Sequence, residues 1–168
     1  MNLPLVLLAA YSVLLIAIAL IPGCKKKEAG GASAGKATEA KSAGPTKLPK
    51  LGLSIDVPGS VDVGDAIMGE GHMLTGAGVG ALTVEITAKP QTLEEAKSDA
   101  DLYTPKNLKD EKLADGWTLT FENTGSMGKN YFVQVRRDIN GKTYNCSTTG
   151  SDANQAAAVL AACKTLRP

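Results

Sequence analysis

Three cysteines and a single histidine are the side chains in this 168-residue chain best suited to nucleophilic, redox or metal chemistry. Cys146 and Cys163 are separated by sixteen residues. They lack the C-x-x-C spacing at a helix start that lowers a thiol pKa, so a redox pair is not supported. His72 has Glu70 and Met73 nearby but no second imidazole, which leaves a triad or a histidine metal site without partners. Its glycine-rich surroundings read as a loop. Gly76-Ala77-Gly78-Val79-Gly80 has the glycine content of a phosphate loop, yet strand-like Ala81 to Thr87 follows where a helix is required, and no Lys-Ser/Thr comes after it. A hairpin connection fits better. Asp99 and Asp101 stand at i and i+2 of a predicted helix and so point to different faces, unlike paired catalytic carboxylates. Asn145-Cys146-Ser147 matches a glycosylation sequon only formally, because it lies in a predicted strand. The expectation is a chain without catalytic residues, cofactor or metal. The alternative is a small-ligand carrier or enzyme with a pocket near Glu70 to Val79.

The elements that must position the two distal cysteines are a hairpin and a helix. Asn140-Gly141 sits between strand-like Asn130 to Ile139 and Lys142 to Thr149, and Asn-Gly is the strongest short hairpin signal because both residues tolerate positive φ. A two-residue turn pairs Ile139 with Lys142, Arg137 with Tyr144, Val135 with Cys146 and Val133 with Thr148. Tyr131, Val133, Val135, Tyr144 and Cys146 then share the core-facing side, with Phe132, Gln134, Arg136, Thr143, Asn145 and Ser147 on the other. The closing helix starts near Asp152, a capping residue with Gln155 at the box position, and runs to about Leu166. Ala156, Val159, Leu160, Cys163 and Leu166 or Arg167 fall at helical spacing. Both cysteines therefore point into one interface.

Upstream, Trp117, Leu119 and Phe121 alternate with Thr118 and Thr120 in a strand entered from Asp115-Gly116, and the charged run Asn107 to Leu113 precedes it. This predicts an antiparallel meander whose charged first strand suits a protected edge. Thr92-Leu93-Glu94-Glu95 is a capping box opening a helix that Pro105 ends, with Leu93, Ala96, Ala100 and Tyr103 inward. Leu53 to Val57 and Ala81 to Thr87 read as strands. The fold class is α+β: an antiparallel sheet with a mid-chain helix and a C-terminal helix. Phe132 is then expected under the mid-chain helix rather than on a binding surface.

Composition divides the chain in three. Residues 1–24 carry no charged side chain, residues 25–50 read as a disordered basic tether, and residues 51–168 read as one α+β domain large enough to fold alone. The tether holds seven lysines against two glutamates, net +5, whereas the domain holds 11 basic and 15 acidic residues, net −4. A nucleic-acid partner would call for positive charge on a folded face, so no nucleic acid is expected.

Leu3 to Ile21 is an uncharged apolar run ending in Pro22-Gly23-Cys24. This segment resembles the bacterial lipoprotein signal family, in which an apolar stretch closes on a small residue and an obligatory cysteine. The resemblance implies that the Cys24 thiol receives a diacylglyceryl group, that residues 1–24 act as the signal peptide ending at this lipidation cysteine, and that two or three acyl chains such as palmitate anchor the protein to the membrane. At ~0.8 kcal/mol per buried methylene, two chains hold where one does not. It also implies a bacterial cell-envelope location, with Lys25 in place of the aspartate that retains enterobacterial lipoproteins at the inner membrane, so the outer membrane is favoured over the inner membrane. An uncleaved N-terminal transmembrane helix is the alternative anchor; Lys25-Lys26-Lys27 would then favour a cytoplasmic tether. For an exported chain the natural inference is a Cys146 to Cys163 disulfide.

The order of elements, with the opening "LGLSIDVPGS" and a final "GKTYNCSTTG" strand leading into an alanine-rich helix, looks like the PsbP-like α/β/α sandwich. That family includes photosystem extrinsic proteins, a nuclear import factor that binds a small GTPase, and bacterial lipoproteins. The resemblance implies a non-catalytic binding or assembly role, with an envelope protein as the expected partner, and it carries no functional residues over.

Overall fold

The computed structural model describes residues 44–168. Asn140 and Gly141 adopt φ values of 52° and 74°, the paired positive angles of a type I′ turn. They join β8 (Gly128–Ile139) to β9 (Lys142–Gly150) in the expected register, Val135 opposite Cys146 and Arg137 opposite Tyr144. The other elements are β1 (Thr46–Leu48), β2 (Leu53–Ile55), β3 (Asp62–Asp65), β4 (Gly71–Gly76), β5 (Gly80–Ile86), α1 (Leu93–Asp101), β6 (Lys106–Leu113), β7 (Gly116–Gly125) and α2 (Ala153–Lys164). Seven strands form one sheet in the order β3-β4-β5-β9-β8-β7-β6, every neighbour antiparallel, with β1 and β2 as a separate pair. Charged β6 takes the edge beyond β7, as expected of a strand that must resist further pairing.

Strand alternation gives the sheet two faces, each with its own core. On one face Leu74, Leu82, Val84, Val135 and Cys146 are fully buried beneath Val159, Ala162, Cys163 and Leu166 of the α2 segment, and β1-β2 adds Leu48 and Ile55. On the other, Trp117, Leu119 and Phe121 of β7 pack against Leu93, Ala96 and Ala100 of α1. One helix thus lies on each face. Phe132 is partly buried in the α1 cluster, its ring stacked on Phe121 at 4.4 Å. Among the described residues both cores are drawn from residues 48–166, which lie within one compact unit.

Both helices start on side-chain caps. The Thr92 hydroxyl accepts from the Glu95 N–H while the Glu95 carboxylate accepts from the Thr92 N–H, a closed capping box. Asp152 accepts from the Asn154 and Gln155 N–H groups, but no box closes there: the Gln155 side chain donates to the Ala77 carbonyl at 3.0 Å. It ties the helix start to the β4-β5 turn.

Two expectations change. A tether reaching Lys50 is too long, because β1 already belongs to the fold. Leu48, the only large apolar side chain in residues 25–50, is fully buried and draws Thr46–Leu48 onto Leu53–Ile55. Such burial is worth about 1.5–3 kcal/mol. Residues 25–43 lie outside the described residues. The glycine-rich stretch expected to be a loop supplies β4, with Leu74 fully buried.

Candidate functional site

Cys24 and the whole of residues 1–24 lie outside the described residues. Cys146 and Cys163 are brought together as expected, by the hairpin register and the buried stripe of α2. They form a disulfide with a Cα–Cα distance of 5.8 Å, and both are fully buried. The bond fastens α2 to the middle of the sheet.

His72 is a core residue and not a loop residue, only 4% exposed. Its Nε2 accepts the Lys50 N–H at 3.1 Å, which places the ring proton on Nδ1, where it is donated to the Gly64 carbonyl at 3.1 Å. The imidazole bridges the β1-β2 turn and β3, and both nitrogens are spent in doing so. The glycines after it have packing roles. A Cβ on Gly76 would lie 2.6 Å from the Ser60 carbonyl oxygen, and one on Gly78 would lie 2.6 Å from that of Pro58. The turn needs glycine because the 58–61 segment crosses directly over it. None of the three clefts below draws a wall from residues 70–79, where the alternative reading places a pocket.

Two clefts of about 350 and 290 Å³ adjoin on the α1 face and share Gln91, Gln134 and Asn145. α1 covers β7 but not β9 and β5, and the polar outward residues of those strands are left as the floor. Most of the polar groups here anchor the connection from β5 to α1. The Gln91 carbonyl accepts from Arg136 Nη1 at 3.0 Å and from Trp117 Nε1 at 3.4 Å, and the Gln91 side-chain amide donates to Asp99 at 2.6 Å. Arg136 Nε and Nη2 donate to Asp138. Asp99 therefore serves as an anchor, and it does not form a catalytic pair with Asp101.

Glu85 faces the larger cleft, and desolvation raises its carboxyl above the ordinary value. Because the folded-state value exceeds the unfolded one, the ionised form costs stability as pH rises through it. Glu85→Gln is expected to leave stability near pH 4 unchanged and to raise it near pH 7, flattening the urea midpoint against pH. An unchanged profile would show that Glu85 is not strained by burial. The opposite sign belongs to Asp56, Asp65, Glu95 and Glu122. Hydrogen bonds from Arg167, Lys50, Thr92 and Lys129 respectively hold them below their ordinary values. Their stabilisation is present above the unfolded carboxyl range and is lost as pH falls through the lowered values.

A raised carboxyl needs a nucleophile or second proton carrier in reach to be an active site. Among the described residues no group of three or more His, Cys, Asp or Glu could hold a metal ion. No helix among them is long and apolar enough to cross a membrane.

The third cleft, about 540 Å³, lies between α2 and the outer strands. Sequence reasoning gave no sign of it, because it depends on how far α2 reaches across the sheet.

No protein-family model matches the chain, and no curated protein is significantly similar to it.

Proposed function

We propose that this is a bacterial envelope lipoprotein, anchored through acylated Cys24, whose tethered domain binds an envelope component and has no catalytic activity of its own. The disulfide between Cys146 and Cys163 carries the proposal. Buried cross-links of this kind persist in oxidising compartments and are rare in the cytosol. That favours export, and it weighs against the uncleaved helix with a cytoplasmic tether. Gly23-Cys24 supplies the small residue and the thiol at the point where apolar sequence gives way to lysine-rich sequence. The domain belongs, on this reading, with the PsbP-like sandwiches, supported by a helix on each face of an antiparallel sheet and by the order of elements.

Mass spectrometry of the membrane-bound protein tests the anchor. The expected species begins at Cys24 and carries the added mass of a diacylglyceryl group. Recovery of an intact Met1 end with unmodified Cys24 would overturn the proposal.

A further inference from the structure

We propose that the cleft between α2 and the outer strands is a binding site for amphiphiles with a single acyl chain and an anionic head, the head resting at Lys109. This goes beyond the lipoprotein reading, which stands or falls on Cys24.

The cleft exists because α2 packs over β8 and β9 and stops short of β6 and β7. Thr120 and Val133 form the floor, and Ala156, Ala157 and Leu160 form the helical wall. Its volume of about 540 Å³ falls within the ~300–1,000 Å³ of small-molecule sites, and walls of this apolar kind suit an alkyl chain.

The edge strand β6 supplies the charge. Lys106 pairs with Glu122 and Lys109 with Thr120, so two residues of β6, Asn107 and Leu108, oppose the single Phe121. Asn107 takes a φ of 54° and donates to Glu122 at 2.8 Å. On the turn side of the bulge, plain alternation turns Leu108 to the α1 core and Lys109, like Glu111, to the cleft side. The one carboxylate in the lining, Glu122, is already bound by Lys129 at 3.0 Å and by Asn107. Lys109 makes no ion pair among the described residues, while Glu111, next on the same side of β6, is taken by Lys164. An apolar cleft with one uncommitted cation at its edge is complementary to a carboxylate or phosphate head on an alkyl chain.

The test uses residues 44–168, which contain both cores and the disulfide, with dodecanoate below its micellar concentration and calorimetry as readout. One dodecanoate is expected to bind per chain. Dodecyltrimethylammonium, with the same chain and the opposite charge, should bind about tenfold more weakly, and Lys109→Glu should invert that order. Ala157→Trp, at an exposed helical position, should abolish binding of both and leave the melting curve intact. Lysophosphatidylglycerol distinguishes the sources. Tighter binding than dodecanoate identifies a phospholipid head, weaker binding a free fatty acid, and both uphold the site. Equal affinity for the two charges in the parent protein, or dodecanoate binding unaffected by Ala157→Trp, would overturn the proposal. So would a dimer in sedimentation that Ala157→Trp dissociates, since a second copy would then occupy the cleft.

Discussion

Reducing the Cys146 to Cys163 bond is expected to remove about 3 kcal/mol of stability, the chain-entropy value for a loop closed across a separation of 17 residues. For a domain of this size that corresponds to a melting temperature lower by roughly 10–15 °C. The effect acts mainly on the unfolded chain, which regains the freedom to separate β9 from α2. Some α2 contacts remain in the reduced protein, because Val159, Ala162 and Leu166 stay buried against the sheet. Both sulfurs are fully buried, so reductant reaches them only when the domain opens. Urea unfolding at equilibrium with and without dithiothreitol measures the difference. The double variant Cys146→Ala/Cys163→Ala should lose as much or slightly more, since it also empties the space of two sulfur atoms in a packed core. Coincident urea midpoints for oxidised and reduced protein would show that α2 is held by packing alone.

The parts of this fold that were legible in the sequence are those fixed by short-range chemistry. Asn140-Gly141 sets a two-residue turn, and the turn sets the register of the next nine cross-strand pairs. The Thr92 and Glu95 box marks the start of α1 for the same reason, because its partners lie within one turn. The cysteine pair was readable because two periodicities, two for a strand and 3.6 for a helix, placed both thiols on inward faces. β3 and β4 were not readable. β3 is Asp-Val-Gly-Asp, exposed throughout, and it is a strand only because β4 offers it an edge. β4 has glycine at both ends, where neighbouring backbone leaves no room for a side chain. Those glycines report tertiary contact, which local propensity cannot distinguish from a loop. The cleft at Lys109 was hidden because it depends on how far α2 reaches across the sheet, which the alternation within β6 does not record.

Arg137 marks the same boundary, because its sequence position on the core side of β8 suggests an apolar role that a guanidinium cannot fill. Instead its Nε and Nη2 donate to Asp115 at 2.8 to 3.0 Å, while Nη1 donates to the carbonyls of Cys163 at 3.2 Å and Lys164 at 2.7 Å. One side chain thus joins the β6-β7 turn to the last turn of α2, where helix carbonyls lack intrahelical partners and a positive charge opposes the negative end of the helix dipole. Arg137→Met keeps most of the apolar stem and should cost about 2–3 kcal/mol, largely from the unpaired carbonyls. Asp115 is a third exposed and regains water, so Asp115→Asn should cost only about 0.5–1 kcal/mol. Arg137→Lys should recover less than half the loss, because an ammonium cannot reproduce the planar fork that reaches both the carboxylate and the helix end. Urea unfolding gives the magnitudes, and hydrogen exchange locates them. Faster exchange in Arg137→Met should be concentrated at Thr165 and Leu166, whose N–H groups donate to the carbonyls of Ala162 and Cys163 in the α2 terminus. A variant within 0.5 kcal/mol of the parent, or exchange raised evenly across the sheet, would mean that the disulfide and the buried stripe hold α2 without help from Arg137.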